Sequence, residues 1–146
     1  MLYRLQSLTD KFVNYLAQDP VRPNIPIEKR LGNNKDIFML VDNEEVRAIT
    51  CVSYQQQIPN NETALFDALD PEVVVFYTIW SYQPGSGRQL IYDTVKHIQH
   101  TKPYIKRFVT LSPKTEMARK FHLKNGALIY KENIDTVNYE YVLATA

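Results

Sequence analysis

The spacing of apolar positions along the chain predicts its elements. Residues 2–6 alternate weakly between apolar and polar and predict a short strand. Thr9 or Asp10 can cap a helix running to about Gln18, with Phe12, Val13, Tyr15 and Leu16 turned inward. Asp19-Pro20 ends it, because the residue before a proline avoids the helical region. Residues 20–34 hold three prolines and read as a loop with one helical turn at 27–31. Residues 36–41 and 46–54 are apolar and β-branched. Asp42-Asn43-Glu44-Glu45 supplies turn residues between them, so a β-hairpin is expected. A polar stretch follows, with a short helix at 62–69.

The second half is more strongly patterned. Residues 72–82 carry Val73-Val74-Val75-Phe76-Tyr77, an unbroken apolar run that predicts a strand covered on both faces. Gln83-Pro84-Gly85-Ser86-Gly87 breaks it. A helix is expected from 86 to 99, burying Leu90, Ile91, Thr94, Val95 and Ile98. Residues 105–111 form another strand. Ser112-Pro113 then reads as a helix start, because serine caps well and proline suits the first helical position. Met117, Ala118 and Phe121 would be that helix's inner stripe, and Asn125-Gly126 would stop it. Two strands close the chain, at 127–131 and 137–143. The expected order is β-α-α-β-β-β-α-β-α-β-β, a mixed α/β (α+β) domain with one central sheet, mainly antiparallel and flanked by helices. The 146 residues fit a single domain, 1–146.

Composition narrows the function. Cys51 is the one cysteine, which excludes an internal disulfide and a cysteine-rich zinc site. The net charge of +1 argues against a dedicated nucleic-acid binder. No apolar run approaches the roughly 20 residues that span a bilayer, and residues 1–6 lack the apolar stretch of a signal peptide. A cytoplasmic protein that engages neither membrane nor nucleic acid, a monomer or homodimer, is the expectation. Near-neutrality hides an asymmetry: residues 31–80 hold two bases and eight acids, whereas residues 101–131 hold eight bases and one acid, Glu116. That contrast fits either two solvated faces or a basic segment meeting a polyanionic small ligand.

The strand–Pro84-Gly85-Ser86-Gly87-Arg88–helix junction adjoins the basic segment. Glycines let a backbone approach a ligand closely, and a helix start offers unpaired N–H groups and a positive dipole end. The junction is either a tight turn or a phosphate or pyrophosphate cradle. A Walker A loop is excluded because the Gly-Lys-Ser/Thr ending is missing, and a Rossmann fingerprint because the third glycine is missing.

Loop and element order together resemble the GNAT superfamily of acyl-CoA-dependent N-acyltransferases, whose Gln/Arg-x-x-Gly-x-Gly/Ala loop follows the fourth strand. Tyr82-Gln83-Pro84-Gly85-Ser86-Gly87 matches both glycines, with Tyr82 and Pro84 departing. Pro84 removes one backbone donor from the cradle. Four further pieces resemble the C-terminal GNAT-like domain of the malonyl-CoA decarboxylase family: Phe76-Tyr77-Thr78-Ile79, Phe108-Val109-Thr110-Leu111-Ser112-Pro113, Phe121-His122-Leu123-Lys124-Asn125-Gly126-Ala127 and Asn138-Tyr139-Glu140-Tyr141. The resemblance spans roughly 36–143. It lacks that family's helical N-terminal domain and its long insertion between the serine and the histidine.

This resemblance implies acetyl-CoA or another acyl-CoA as co-substrate. Tyr77, Thr78, Ile79 and Trp80 would line the pantetheine arm. Gln83, Gly85, Ser86, Gly87 and Arg88 would hold the pyrophosphate, and Lys114 and Arg119 the nucleotide phosphate. Ser112 and His122 would be catalytic, His122 standing where many members carry the tyrosine that protonates the leaving thiolate. Acyl transfer to an unidentified amine or protein is expected; a decarboxylase-like reaction and a binding module without chemistry are the alternatives. Glu72 and Tyr77 are general-base candidates by residue type and strand position alone. Ser112 and His122 are ten residues apart, roughly 15 Å along one continuous helix. A direct bond between them requires that the helix begin late.

Overall fold

A computed structural model describes residues 1–66 and 70–142. Ten elements follow one another: β1 (Leu2–Leu5), β2 (Lys35–Asp42), β3 (Glu45–Gln55), β4 (Val73–Ser81), α1 (Ser86–Thr101), β5 (Arg107–Thr110), β6 (Ser112–Pro113), α2 (Glu116–Lys124), β7 (Leu128–Glu132) and β8 (Thr136–Tyr141). All eight strands join one sheet in the order β1-β2-β3-β4-β5-β8-β6, with β7 also paired to β8. Among the described residues, β4–β5 is the one parallel pair; the other ladders are antiparallel. This is the expected mixed α/β architecture.

The run Val73–Tyr77 lies in the sheet's centre because both its faces are covered. Val73, Val75 and Tyr77 enter a core with Phe12, Leu16 and Ile25 from the 3-10 turns and loops before β2. Val74 and Phe76 face Leu90, Ile91, Val95 and Ile98 of α1. Each such apolar side chain contributes about 1.5–3 kcal/mol by leaving water.

The sheet opens at one place. The β4–β5 register runs from Val73↔Arg107 to Phe76↔Thr110. A last bond follows, from the Leu111 N–H to the Phe76 carbonyl at 3.0 Å. Beyond it, β6 belongs to β8 (Ser112↔Val137, Pro113↔Thr136) and no longer follows β4. On the other side of β4, Cys51 pairs with Thr78 and Val52 with Phe76, so Tyr77 is an extra, bulged residue. A bulge bends and twists its strand. Bulge and partner exchange together splay β4 from β5–β6.

Four expectations need correction. The helix expected from Thr9 or Asp10 is only a six-residue 3-10 turn, Val13–Gln18. Asp10 spends its carboxylate on the Phe12 N–H, a local turn that competes with helix. The helix expected at 62–69 shrinks to a 3-10 turn at Glu62–Ala64; residues 67–69 lie outside the described residues. The Ser112-Pro113 helix start is a strand. Ser112 is extended and paired with Val137, and α2 begins at Glu116, where the Thr115 side chain accepts from the Ala118 N–H at 3.1 Å. The closing strand expected to 143 ends at Tyr141, and Leu143 lies outside the described residues. Trp80, Tyr139 and Tyr141, aromatic positions that would suit either a dimer face or a core, are buried in the chain's own core. Among the described residues no helix is long and apolar enough to cross a membrane.

Candidate active site

The splay encloses a cleft of about 310 Å³. One wall is β4 from Phe76 to Ser81, whose edge beyond Phe76 no longer pairs with β5. The opposite wall is Leu111, Ser112 and Pro113, backed by Thr115, Ala118 and Phe121 of the α2 region. Pro20 and Val21 close the top. All four strand residues expected there, Tyr77, Thr78, Ile79 and Trp80, line it.

At its far end the cleft meets the glycine loop. Gly85 takes φ +80°, left-handed backbone that favours glycine. The Ser86 N–H is taken by the Gln83 carbonyl at 3.2 Å, and the Gln89 N–H by the Gly85 carbonyl at 3.2 Å. The Gly87 and Arg88 N–H groups fall in the first turn, where no preceding carbonyl is in register. Gly87 lines the cleft, and a Cβ there would meet the Phe121 ring at 3.0 Å. Gly87→Val is therefore expected to push Phe121 into the cleft at a stability cost of about 1–3 kcal/mol. If the loop holds the pyrophosphate of CoA, titration calorimetry should show at least a roughly tenfold loss of CoA affinity, about 1.4 kcal/mol. Unchanged affinity would mean that the cradle lies elsewhere.

The Gln83 and Arg88 side chains, expected at the phosphates, are engaged elsewhere. The Gln83 side-chain oxygen accepts from Arg47, so only its backbone joins the loop. Arg88 stacks on Tyr92 at 5.0 Å and donates to the Asn125 side-chain oxygen at 3.3 Å, bracing α1 against the end of α2. Ser86 is buried. Lys114 and Arg119 are exposed on either side of the cleft-lining Thr115 and Ala118.

Because α2 begins late, Ser112 and His122 meet. Ser112 Oγ lies 3.2 Å from His122 Nε2, and His122 Nδ1 lies 2.7 Å from Tyr141 Oη. Ser112 Oγ donates to Thr110 Oγ1 at 2.8 Å, and Thr110 Oγ1 also accepts the Tyr139 N–H at 3.0 Å. The assignment that satisfies the chain has Nε2–H donating to Ser112 and Nδ1 accepting from Tyr141. The imidazole stacks on Tyr139 (4.9 Å between centroids, 27°) and has Phe121 at its edge. Ser112 faces the cleft; His122, 3% exposed, stands behind it. The sequence pattern did not single out Thr110 or Tyr141 as partners, although Tyr141 belongs to the Asn-Tyr-Glu-Tyr piece.

Burial holds His122 down to a pKa of about 4, so it is neutral at pH 7. Its ordinary value in an unfolded chain is about 6.5. The unfolded chain therefore takes the proton first as pH falls, and stability is lost between about pH 6.5 and 4. The difference amounts to roughly 3 kcal/mol. Urea titrations at pH 7, 6 and 5 should show His122→Gln losing less stability than wild type over that range. Parallel losses would contradict the neutral, buried assignment.

Neither general-base candidate serves. The Tyr77 ring packs on Phe66 in the opposite core, its hydroxyl has no hydrogen-bond partner among the described residues, and burial raises its pKa. Glu72 lies at the other end of β4, beside a separate groove with Lys106 and Arg107. Burial pushes the Cys51 thiol up to about 12, so it is no nucleophile. Among the described residues no group of three His, Cys, Asp or Glu side chains could hold a metal ion.

No family model matches the sequence, and no curated protein matches it significantly. Solved structures do. A malonyl-CoA decarboxylase from Cupriavidus metallidurans superposes with a TM-score of 0.73 at 16% identity, over 97% of this chain and 60% of that one. One from Agrobacterium vitis gives 0.67 at 21% identity, over 83% of this chain and 35% of that one. An acetyltransferase from Bacillus subtilis in complex with CoA gives 0.66 at 14% identity, over 98% of both chains. The chain thus has the GNAT fold shared by acetyltransferases and by part of malonyl-CoA decarboxylase. It matches 35% and 60% of the lengths of these two decarboxylase chains.

Proposed function

We propose that the cleft binds an acyl-CoA and that the chain transfers its acyl group to an amine. The observation that carries this reading is the unpaired edge of β4 running from the vertex of the splay to the glycine loop. An extended pantetheine arm would add to that edge as a short strand does, through its amides. The pyrophosphate would then reach the Gly87 and Arg88 N–H groups at the start of α1, with Gly85 allowing close approach. Exposed Lys114 and Arg119 would meet the nucleotide phosphate. The thioester would end near Ser112.

In the transfer, the neutral amine nitrogen bonds to the thioester carbon, the C–S bond breaks, sulfur leaves with the electron pair, and the proton the nitrogen loses passes through solvent to the thiolate. The Ser112 hydroxyl gives its single proton to Thr110 in the free protein and would turn that proton to the carbonyl oxygen or the departing sulfur. His122 acts through Ser112: it is neutral and does not itself line the cleft. It is therefore a positioning residue, and Tyr141 positions it in turn.

A second reading is decarboxylation of a malonyl-type thioester, favoured by the formed Ser112–His122 bond and by the cleft's chemistry. No aspartate, glutamate or histidine is among its described lining residues, so nothing there would remove a proton from an attacking ammonium group. Decarboxylation needs no such base. A cleft that binds CoA without chemistry is the remaining alternative.

One incubation separates them. Free CoA released from acetyl-CoA only when an amine is present supports transfer. Conversion of malonyl-CoA to acetyl-CoA and CO2 without an acceptor supports decarboxylation. Binding without turnover leaves a binding module, and no binding at all removes every reading built on the cleft.

A further inference from the structure

The vertex of the splay is filled by a side chain from the loop before β2. Arg22 Nε donates to the Tyr77 carbonyl at 3.3 Å, and Nη2 donates to the Leu111 carbonyl at 2.9 Å. Both residues line the cleft. The last direct β4–β5 bond, Leu111 N–H to Phe76 carbonyl, lies one residue away on β4. Direct strand pairing thus passes at one point into pairing through a guanidinium. Tyr77 is also the bulged residue, so its carbonyl is the one that regular β3–β4 pairing leaves over.

The guanidinium is fixed from behind. Its side chain is 12% exposed, with Glu62 Oε1 3.8 Å from Nε. The Arg22 N–H donates to Asp19 Oδ1 at 3.0 Å, and the Arg22 carbonyl accepts from Arg30 Nη2 at 2.7 Å. Asp19 and Arg30 are themselves a buried pair at 2.7 Å. A planar fork with two N–H groups on one edge matches two adjacent carbonyl acceptors; a lysine ammonium is a point charge on a flexible stem. Two carbonyls held by that fork do not draw N–H groups across the gap, and the strands stay apart.

We propose that Arg22 is a positioning residue that wedges the cleft open. Without it, the Tyr77 and Leu111 carbonyls would be buried acceptors lacking partners. Drawing β5–β6 against β4 is the local way to satisfy them. The functional consequence rests on the acyl-CoA reading of the cleft, but the wedge is a property of the free protein, so the two are tested apart.

Amide hydrogen exchange on ligand-free wild type, Arg22→Ala and Arg22→Lys reads the wedge; calorimetry with CoA reads its consequence. In both variants the Ile79 N–H, which points away from β3 into the gap, should become more protected, and CoA affinity should fall tenfold or more. Guanidinium ion at sub-denaturing concentration should restore both in Arg22→Ala. Should that variant fail to fold, Arg22→Lys carries the same expectation, because it keeps the charge and loses the fork. Wild-type exchange at Ile79 in either variant, or wild-type affinity in Arg22→Lys, overturns the proposal. If wild type binds no CoA, the acyl-CoA reading fails and the exchange measurement alone decides the wedge.

Discussion

Ser112→Ala is expected to lower turnover about 10²–10³-fold while leaving CoA affinity within a few-fold of wild type. That is the loss usually seen when one positioned hydrogen-bond donor is removed from a developing oxyanion. The expectation follows from position. Ser112 sits in the cleft wall, backed by a histidine held on its far nitrogen by Tyr141 Oη at 2.7 Å. Two neighbours, His122 and Thr110, fix its oxygen before substrate arrives. His122 variants refine the assignment. His122→Gln can still offer a neutral N–H toward Ser112, whereas His122→Ala offers nothing. If His122 acts as a neutral support, the glutamine variant should retain clearly more turnover than the alanine variant. Equal losses in both would point to proton transfer through the imidazole. Ser112→Ala with wild-type turnover would remove the serine from the chemistry altogether.

Asp19→Ala is expected to be the most destabilising single change, by about 3–5 kcal/mol. Arg30 is 1% exposed and lies 2.7 Å from Asp19. Removing the carboxylate leaves a buried guanidinium with only the Ile25 and Arg22 carbonyls and the Cys51 sulfur. The same carboxylate also accepts from Thr78 Oγ1 at 2.8 Å and from the Val21 and Arg22 N–H groups. Its loss therefore unpins the Pro20–Val21 roof, the Arg22 wedge and a cleft-lining strand residue together. A domain whose whole stability is about 5–15 kcal/mol has little margin for that. Urea denaturation measures it; a loss below about 1 kcal/mol, the range of exposed pairs, would contradict the buried reading.

The strands and the glycine junction were legible because their signals are local. Val73–Tyr77 could be read as doubly covered from its unbroken apolar run, and Gly85 and Gly87 mark a turn that few other residues permit. The start of α2 was not legible locally. Ser112-Pro113 satisfies helix-start preferences and strand geometry equally well. Pairing with Val137 of β8, which lies beyond α2 and β7 in the chain, decided for strand. That same decision moved the helix start to Glu116 and allowed Ser112 and His122 to touch, which a continuous helix forbids. The first helix failed for a related reason. Its apolar spacing was right, but Asp10 turned its carboxylate to the local backbone, and Asp19-Pro20 stopped the segment after six residues. Arg22, Arg30 and Asp19 carry no periodic signal at all. Their importance comes from burial beneath a proline-rich loop, which only the folded chain reveals.

The central claim, that acyl-CoA lies along β4 with its pyrophosphate at the start of α1, is tested most directly by the amide-exchange footprint of bound CoA on the wild-type protein. Added protection should appear at residues 78–81, 85–88 and 115–121. Protection confined to the groove beside Gln56, Lys106 and Lys131, or no protection at saturating CoA, would contradict it.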